Sequence, residues 1–367
     1  MTSARSAERV ETVTRSGPVL ITGGAGFIGT NLADRLLRVG RRVILFDNLS
    51  RSGVQRNVEW LSREHGTLLE IEVGDTRDLR ALTTAARAAS AVFHLAAQVA
   101  VTTSLVEPVA DFEDNARGTL NLLEALRGRP NPPPMVFTST NKVYGNLEDL
   151  DLDIAETRYV PTDPHVRAHG VSEARSISFH SPYGCSKGAA DQYVLDYART
   201  FKVPAAVFRM SCIYGPHQCG TEDQGWVAHF LIHALTGKPI TVYGDGMQVR
   251  DVLFVEDLVD AFLLAEQYMS RLCGHAFNIG GGPARTTSLV ELLDRIETLN
   301  GERPDVEFDA WRAADQRYYV SDTRRFRTAT GWRPKVDVPT GLRALYDWLA
   351  EAQVTAVLPL ATGRVAS

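Results

Sequence analysis

A tyrosine and a lysine four residues apart are the first side chains in this sequence that could carry out chemistry together. The run Tyr183-Gly184-Cys185-Ser186-Lys187 places a phenol and an ammonium group on one face of a helix. A phenol with an ordinary pKa near ~10 exchanges protons poorly at neutral pH. A neighbouring ammonium group stabilises the phenolate and lowers that pKa. We therefore predict that Tyr183 is a general acid and base and that Lys187 lowers its pKa.

A hydroxyl-rich segment precedes this pair. Thr138, Ser139 and Thr140 follow a short apolar run that is typical of a buried strand. A hydroxyl group at the end of such a strand can orient a reacting oxygen by hydrogen bonding. We predict this role for Thr140, and the three groups together indicate oxidation or reduction of an alcohol.

A glycine cluster near the start of the chain predicts a dinucleotide site. The cluster Gly23–Gly29 lies between an apolar run and an amphipathic segment. Its glycines let the backbone turn tightly and approach a pyrophosphate, which then contacts the N–H groups that begin the following helix. Asp47 ends the second apolar run, where its carboxylate can accept both hydroxyls of a ribose. That carboxylate repels the 2′-phosphate of NADP, so NAD is the predicted cofactor, although Arg51 nearby leaves NADP open.

Two later segments extend the predicted cofactor site. Asp75 follows the third apolar run, where its side chain either reaches the adenine or stabilises a turn. The segment Leu95–Gln98 offers small residues beside which the nicotinamide can approach the backbone. His94 is interpreted as a packed histidine at a strand end. Lys187 is expected to contact the cofactor ribose, and the nicotinamide cation is expected to lower the pKa of Tyr183 further.

The elements that must position these residues alternate along the chain. From Pro18 onward, short apolar runs alternate with longer amphipathic segments, which is typical of βαβ units on a parallel sheet. The predicted fold class is α/β, a doubly wound, Rossmann-like parallel sheet with a smaller α/β substrate-binding lobe. The predicted strands of the sheet are 19–22, 43–47, 68–73, 91–95, 135–138 and 205–209.

Four segments are predicted along the chain. They are a polar, disordered extension (1–17), an NAD-binding Rossmann domain (18–215), a mainly substrate-binding lobe interleaved with the core (216–350) and a C-terminal tail (351–367). In the lobe we predict helices near 226–236, 255–268 and 286–299 and strands at 240–243 and 276–279. Residues 147–180 show no clear period and are predicted to be a loop that lines the substrate space.

The overall composition argues against several other classes of protein. The net charge is −5 and no basic run occurs, so a nucleic-acid partner is not expected. No stretch approaches the ~20 apolar residues of a membrane span. The four cysteines, Cys185, Cys212, Cys219 and Cys273, have neither metal-binding nor CxxC spacing, and no secretory leader is recognisable. We therefore expect a cytoplasmic protein without disulfides or a bound metal.

Longer motifs around these residues resemble the extended short-chain dehydrogenase/reductases over roughly residues 18–350. The motifs are Phe46–Arg51, Ser139–Gly145, His180–Tyr193, Asp223–Val227 and Asp315–Arg317. Within that family they are most similar to the members that invert carbon 2 of CDP-linked 3,6-dideoxyhexoses. The resemblance implies a tightly held NAD, a nucleotide-sugar substrate with CDP favoured, and catalytic roles for Thr140, Tyr183 and Lys187.

The resemblance also implies which residues contact each molecule. Cofactor contacts are expected at Gly23, Gly26, Phe27, Ile28, Gly29, Asp47, Asn48, Ser50, Arg51, Asp75, Thr76, Leu95, Ala96, Ala97, Gln98, Asn115, Thr138, Tyr183 and Lys187. Substrate contacts are expected at Ser104, Thr140, Asn141, His180, Gln224, Arg250 and Arg312. The two arginines match residues that hold the nucleotide diphosphate, and a guanidinium group pairs bidentately with phosphate oxygens. Cys212 stands where many members carry Asn, which weakens the transfer of substrate contacts from the 4-epimerases.

The residues after Thr140 separate the reactions of the family. Its dehydratases carry an Asp-Glu pair there and its decarboxylases usually begin with Glu, whereas this chain has Asn141 and Lys142. Epimerisation is therefore predicted. Oxidation at carbon 4 would acidify only carbons 3 and 5, so inversion of carbon 2 requires oxidation at carbon 2, reorientation of the bound ketone and reduction on its other face. Lys142 is interpreted either as a substrate contact or as a solvated lysine.

Two other functions remain open from the sequence. A 4-epimerase for a UDP- or dTDP-hexose would use the same catalytic residues and the same cofactor. A catalytically silent NAD-binding protein could dispense with Tyr183 and Lys187, and both are present. By analogy with the family we also expect a homo-oligomer, formed through the amphipathic segments 109–126 and 186–200.

Overall fold

A computed structural model describes residues 16–357 of the chain. Its strands are β1 Val19–Thr22, β2 Val43–Asp47, β3 Leu69–Val73, β4 Ala91–His94, β5 Met135–Thr140, β6 Leu152–Ala155, β7 Arg158–Pro161, β8 Ala205–Met210, β9 Cys212–Tyr214, β10 Ile240–Tyr243, β11 Val249–Phe254, β12 Ala276–Ile279, β13 Thr286–Ser288, β14 Val306–Asp309 and β15 Tyr318–Tyr319. Its α-helices are α1 Phe27–Arg38, α2 Val54–His65, α3 Leu79–Ala86, α4 Val101–Val106, α5 Pro108–Phe112, α6 Gly118–Arg127, α7 Pro164–His169, α8 Ser181–Thr200, α9 Trp226–Thr236, α10 Val255–Gln267, α11 Met269–Leu272, α12 Leu289–Asn300, α13 Arg324–Thr330 and α14 Val338–Val357. Two 3₁₀ turns, Gly66–Leu68 and Asn141–Tyr144, and a π-helical turn, Glu113–Arg117, complete the regular structure.

Seven parallel strands form the central sheet, in the order β12-β8-β5-β4-β1-β2-β3. Helices cover both faces, so central strands such as β1 are apolar and wholly buried. Leu36 of α1 and Phe262 of α10 belong to the core on one face, and Leu122 of α6 and Val194 of α8 to the core on the other. The predicted doubly wound α/β sheet is therefore confirmed.

The seventh strand of the central sheet, β12, is predicted as part of the smaller lobe. β12 pairs with β8 at the edge of the central sheet, whereas the prediction for residues 276–279 placed them in the smaller lobe. The helix predicted near 255–268 also packs on the central sheet as α10. A short apolar run does not indicate which sheet it will join, and here the chain returns from the lobe to complete the core.

The smaller lobe has its own sheets and apolar core. β10 pairs with β14, and β11 pairs with β9, β13 and β15. Phe230 of α9, Leu293 of α12 and Leu345 of α14 pack together in this core. The helix predicted over 286–299 begins only at Leu289, because Thr286–Ser288 form β13 and the Ser288 side chain caps the helix through Glu291 N–H.

The segment predicted to be a loop, residues 147–180, contains two strands and a helix. β6 and β7 form an antiparallel hairpin, and α7 follows it. Arg158 forms an ion pair with Glu291 of α12, and Val171 forms a parallel bridge with Ser321. The hairpin therefore packs on the smaller lobe. Its short, irregularly spaced elements give no periodic signal in the sequence.

The two predicted terminal segments lie mainly outside the described residues. Of the extension 1–17, only Ser16 and Gly17 are described, and the Gly17 carbonyl accepts a hydrogen bond from the Ser90 hydroxyl. At the other end, α14 continues to Val357. The helix thus passes the predicted start of the C-terminal tail at residue 351, and residues 358–367 lie outside the described part.

Candidate active site

The turn between β1 and α1 forms the floor of a cavity of about 430 Å³. Gly23 has a φ of +70°, a left-handed conformation that favours glycine. A Cβ atom on Gly29 would lie 2.6 Å from the Gly23 carbonyl oxygen, so only glycine permits this close turn. Gly23, Gly26, Phe27, Ile28 and Gly29 all line the cavity. The N-terminus of α1 therefore lies open to a ligand in the cavity, as a pyrophosphate requires.

The carboxylate of Asp47 lies at the carboxyl end of β2 in the same cavity. Its oxygens accept hydrogen bonds from the backbone N–H groups of Ala25 (3.0 Å) and Leu49 (2.9 Å). These two bonds fix the orientation of the carboxylate and leave each oxygen a lone pair for a further donor. Burial raises the pKa of Asp47, and the two N–H groups and the nearby Arg51 cation oppose that rise. This environment fits a ribose that donates two hydroxyl groups.

Asp75 lies in the cavity wall, where it is bonded to protein groups. The Arg77 guanidinium donates to it at 2.9 and 2.7 Å, and the Asn48 amide donates at 3.1 Å. The hydrogen bonds from Arg77 hold the pKa of Asp75 far below its usual range. The predicted cofactor residues that line the same cavity beside them are Asn48, Ser50, Arg51, Thr76, Leu95, Ala96, Ala97, Gln98, Thr138, Tyr183 and Lys187.

His94 is a buried structural histidine at the end of β4. Its Nδ1 lies 2.6 Å from the Thr22 hydroxyl and its Nε2 lies 3.0 Å from the Thr119 hydroxyl. Thr119 donates its own proton to the Asn115 carbonyl at 2.6 Å, so Nε2 must be the donor and Nδ1 the acceptor. Complete burial, and then the Lys187 charge, lower the pKa of His94 to about 3. The ring is neutral, which agrees with its predicted packing role.

The catalytic helix α8 begins in an unusual backbone conformation. Ser181 has a φ of +72°, and its hydroxyl accepts a hydrogen bond from the Gly184 N–H at 3.2 Å. The Tyr183 N–H donates to the Ser104 hydroxyl at 3.1 Å. These contacts fix the first turn of α8 and turn the Tyr183 phenol toward the end of β5, where it hydrogen-bonds with Thr140.

The expected fall in the Tyr183 pKa does not occur in the protein alone. Burial raises the pKa of Tyr183 to about 12, Asp111 adds to the rise, and the Thr140 hydrogen bond only partly opposes it. The sequence-based expectation is that the ammonium of Lys187 lowers this pKa. Desolvation of the phenolate is the largest effect instead, because Tyr183 is enclosed between the sheet and the substrate lobe.

Lys187 is one turn further along α8 and is buried. Its Nζ lies 4.4 Å from the centroid of the Phe137 ring, a cation–π contact. Burial lowers the pKa of Lys187 to about 7, while the carboxylates of Asp191 and Asp111 raise it. The two carboxylates therefore favour the ammonium form of Lys187, which burial opposes.

A second cavity, of about 370 Å³, lies between the central sheet and the smaller lobe. Thr140, Asn141, Gln224, Arg250 and Arg312, five of the predicted substrate residues, line it. Arg250 forms a 2.7 Å ion pair with Asp315. Arg312 lies 3.9 Å from the Tyr243 ring centroid and forms ion pairs with Glu222 and Asp223.

Tyr183 lies where the two cavities meet, since it lines both of them. Lys187 lines only the first cavity and Thr140 only the second. The phenol is thus between an ammonium on the cofactor side and a hydroxyl on the substrate side. This arrangement can move a proton to or from an alcohol held in the second cavity.

Three of the predicted ligand-binding residues lie behind these walls. Asn115 is buried and donates to Asp111 and to the Ser186 hydroxyl. Ser104 is wholly buried and supports α8, as described above. His180 precedes α8 and lies against Gly145. None of the three lines either cavity, and nor does any residue of 147–180. The side chains of Ser104 and Asn115 hydrogen-bond with α8, the helix that carries Tyr183 and Lys187.

The sequence leaves open whether Lys142 contacts the substrate or is a solvated lysine. In the structure its side chain lies at the site. It lines the second cavity, its Nζ donates to the Ala314 carbonyl at 3.1 Å, and it lies 3.6 Å from the Asp315 carboxylate. Burial lowers the pKa of Lys142, and Asp315 opposes this. Asp315 belongs to a motif already noted, but no property of the sequence indicates that it pairs with both Lys142 and Arg250.

Comparison with known proteins gives a consistent result. Residues 19–280 match the NAD dependent epimerase/dehydratase family. The chain is 45% identical to a CDP-paratose 2-epimerase of Salmonella typhi over 340 residues, which cover 90% of this chain and 98% of that protein. It is 33% identical to a UDP-glucose 4-epimerase of Mycolicibacterium smegmatis, over 88% of this chain and 95% of that one.

A solved structure extends this similarity to the fold. The UDP-glucose 4-epimerase of Thermus thermophilus, solved in complex with NAD, superposes with a TM-score of 0.76 and 32% identity, covering 91% of this chain and 99% of that one. Among the helices of residues 16–357, none combines the length and apolar character of a membrane span.

Proposed function

Since the chain belongs to the NAD-dependent epimerase/dehydratase family, we propose that it inverts carbon 2 of a CDP-linked 3,6-dideoxyhexose, converting CDP-paratose to CDP-tyvelose. The main structural observation is the position of Tyr183, which lines both cavities and has Lys187 on one side and Thr140 on the other. That position suits an enzyme that oxidises and then reduces one carbon of a bound sugar without releasing it.

The first cavity fits NAD. The close approach of Gly29 to Gly23 clears the space above the start of α1 for a pyrophosphate. Asp47 offers two oriented oxygens to a ribose and would repel the extra phosphate of NADP. Lys187 is close enough to Tyr183 along α8 to contact the second ribose. NAD, when bound, supplies reversible hydride acceptance at the sugar carbon.

The protein's own residues move the proton. Tyr183, as the phenolate, takes the proton of the carbon 2 hydroxyl, and the Thr140 hydroxyl orients that oxygen. The Lys187 ammonium stabilises the phenolate electrostatically. Once the ketone has presented its other face, Tyr183 returns the proton to the same oxygen. The enzyme is then in its starting state, so it needs no added oxidant or reductant.

The second cavity must hold the nucleotide while the sugar turns. Arg250 and Arg312 face this cavity and can pair with diphosphate oxygens. Both arginines are paired with carboxylates, so a diphosphate must compete with Asp315 and Glu222 for them. Asn141 lies beside Thr140 and is neutral, and it can therefore contact the sugar without acting as an acid or a base.

Two features favour carbon 2 over the other reactions of the family. The positions after Thr140 are Asn141 and Lys142, which cannot provide the acid and base pair of an elimination. The similarity to the Salmonella typhi 2-epimerase, at 45%, is higher than the 33% found for the UDP-glucose 4-epimerase of Mycolicibacterium smegmatis.

The alternative is a 4-epimerase for a UDP- or dTDP-hexose, because the 4-epimerase relatives match nearly the whole chain. Purified enzyme without added cofactor should be incubated with CDP-paratose, UDP-glucose and dTDP-glucose, and the products identified by NMR. Turnover of CDP-paratose to CDP-tyvelose supports the proposal. Substrate deuterated at carbon 2 should retain its label in the product, whereas 4-epimerisation of UDP-glucose alone would contradict the proposal.

We further propose that the protein is a homo-oligomer. α4, α5 and α8 present exposed apolar side chains, which include Val106 (80% exposed), Val109 (75%), Phe112 (50%) and Tyr193 (46%). Such a contiguous apolar surface favours association with a second copy. Light scattering after gel filtration should give a multiple of 40.3 kDa, and Val109→Asp should shift the mass toward the monomer. A monomeric native protein would contradict this.

A further inference from the structure

A buried carboxylate behind the catalytic helix has no role in the mechanism described so far. Asp111 of α5 is 1% exposed. One of its oxygens accepts hydrogen bonds from the Gln98 amide (2.9 Å) and the Asn115 amide (3.1 Å), and the other accepts from the Ser186 hydroxyl. All three donors are uncharged. Hydrogen bonds from neutral groups alone do not offset the cost of burying a negative charge.

A second buried carboxylate on α8 provides the contrast. Asp191 is also 1% exposed, and it lies one turn beyond Lys187. Arg209 binds it with two parallel hydrogen bonds of 2.9 Å each. The charge of Asp191 is therefore neutralised by its own guanidinium partner. Asp111 has no arginine partner and forms no direct ion pair among the described residues, and the cation that interacts with it electrostatically is Lys187 of α8.

We propose that Asp111 is a positioning residue whose carboxylate is the counter-charge of Lys187, keeping that side chain an ammonium while Tyr183 transfers its proton. This inference rests on the proposed function. Asp111 also holds the Gln98 amide, and Gln98 lines the cofactor cavity. The Asp111 carboxylate therefore contacts both α8, through Ser186, and the wall of the cofactor cavity, through Gln98.

The charged and titratable groups around this pair determine the sign of the effect. Lys187 and Tyr183 face Asp111 from α8, and Asp114 faces it from the π-helical turn. Lys187 in turn is near Asp191 on α8 and the neutral His94 on β4. The negative charge of Asp111 raises the pKa of Lys187 and that of Tyr183. Removal of this charge must lower both.

The variant Asp111→Asn tests the proposal because it removes the charge and keeps the shape. Lys187 then loses its proton at a lower pH, so the alkaline limb of the kcat profile moves to lower pH. We expect kcat at pH 8.5 to fall about tenfold, the effect of roughly one pKa unit, and kcat at pH 6 to fall less than about threefold. KM and the amount of co-purified NAD should change little.

The matched control is Glu124→Gln. Glu124 of α6 also accepts a hydrogen bond from a hydroxyl on α8, that of Tyr197, but Tyr197 lies ten residues beyond Lys187, about 15 Å along the helix. This variant should keep the native pH profile. An Asp111→Asn profile that falls by one factor at every pH, or a control that shifts equally, would show a merely structural role and overturn the proposal.

A thermal unfolding cycle tests the same charge pair without relying on the activity. Lys187→Met should lower the melting temperature by about 3 °C or more, because it leaves Asp111 without a counter-charge. The double variant Lys187→Met, Asp111→Asn should recover at least half of that loss. If Asp111→Asn alone does not fold, a folded double variant still supports the pairing, and a double variant that melts no higher than Lys187→Met, or does not fold, refutes it.

The proposed function and the charge pair can fail separately. If native enzyme and Glu124→Gln both fail to epimerise, the proposed function is wrong, while the melting temperatures still test the charge pair.

Discussion

The cofactor cavity and the substrate cavity are held together by different forces. The cofactor cavity is shaped by backbone: the tight turn at Gly23 and Gly29, and the ends of β1, β2 and β4 side by side in one sheet. In the substrate cavity the charged side chains are joined in ion pairs, with the three cations Lys142, Arg250 and Arg312 paired with the three carboxylates Glu222, Asp223 and Asp315.

This difference indicates which substitutions each cavity tolerates without a change in the other cavity. Backbone geometry leaves few alternatives at the floor of the cofactor cavity, because a Cβ atom on Gly29 would overlap the Gly23 carbonyl. The charged side chains of the substrate cavity can be exchanged without changing the backbone, because their ion pairs join side chains alone. Substitutions in the two cavities should therefore alter cofactor binding and substrate binding separately, whereas loss of the Tyr183 hydroxyl, at the junction of the two cavities, should affect the reaction itself.

The largest effect is expected for Tyr183→Phe. The variant lacks the hydroxyl that exchanges the proton, so we expect kcat to fall about 10³-fold, with NAD content unchanged. Tyr197→Phe on the same helix is the control, since its hydroxyl contacts Glu124 outside both cavities. Product formation followed by NMR measures kcat. Near-native turnover by Tyr183→Phe would show that another group moves the proton.

Gly29→Ala should affect the cofactor cavity alone. The new Cβ atom would lie 2.6 Å from the Gly23 carbonyl, and the turn must open to relieve this overlap. We expect NAD affinity to fall about 100-fold, equivalent to the ~1–3 kcal/mol of a forced overpacking. Isothermal titration with NAD measures it. Gly128→Ala, where the nearest atom is 3.6 Å away, should bind NAD normally, and equal losses in both variants would contradict this account.

Arg250→Met should affect the substrate cavity alone. The loss of one charge-assisted hydrogen bond to a phosphate, about 2 kcal/mol, predicts a KM roughly 30-fold higher, with NAD affinity unchanged. Steady-state kinetics and the same titration measure the two quantities. Arg303→Met removes an arginine from the exposed ion pairs with Asp294 and Glu297 on the same lobe and should leave KM as it was. A change in NAD affinity in Arg250→Met would show that the cavities are not independent.

The smallest effect concerns the pH dependence of stability on the cofactor side. The pKa of His94 is lowered to about 3 from 6.5, so the unfolded chain takes up a proton below pH 6.5 while the folded protein does not. Stability is therefore lost as pH falls from 6.5 toward 3, by about 1 kcal/mol between pH 6.5 and 5.5. Urea unfolding at these two pH values should show the loss in the native protein. His94→Gln should show less of it, and an identical loss would remove His94 as its source.

The outcome of the sequence-based predictions also differs between the cofactor cavity and the substrate cavity. Residues of the cofactor cavity such as Gly29, Asp47 and Leu95 follow parallel strands, and the carboxyl ends of parallel strands meet at one edge of a sheet. A local pattern is therefore enough to bring them together. Asn115, whose motif resembles a position at the back of the cofactor pocket, lies behind the cavity wall, where its side chain donates to Asp111 and Ser186.

Prediction is weaker for the substrate cavity. Ser104, expected to contact the substrate, accepts a hydrogen bond from the first turn of α8, and His180 lines neither cavity, whereas Lys142, left undecided by the sequence, lines the second cavity. The 147–180 segment, predicted to line this space, folds as a hairpin and helix against the lobe. Each of these outcomes concerns the direction of a side chain or the packing of a segment, which depends on partners far away in the sequence.

The amino-acid sequence alone determined the parallel sheet, the dinucleotide turn and the pairing of Tyr183 with Lys187, because each depends on a strand or helix period over a few residues. The tertiary structure alone decided that β12 completes the central sheet, that Asp315 pairs with Lys142 and Arg250, and that Asp111 lies behind Lys187 without an arginine of its own among the described residues. The physical reason is that these contacts join segments whose separation along the chain carries no periodic signal, so only packing of the completed core brings them together.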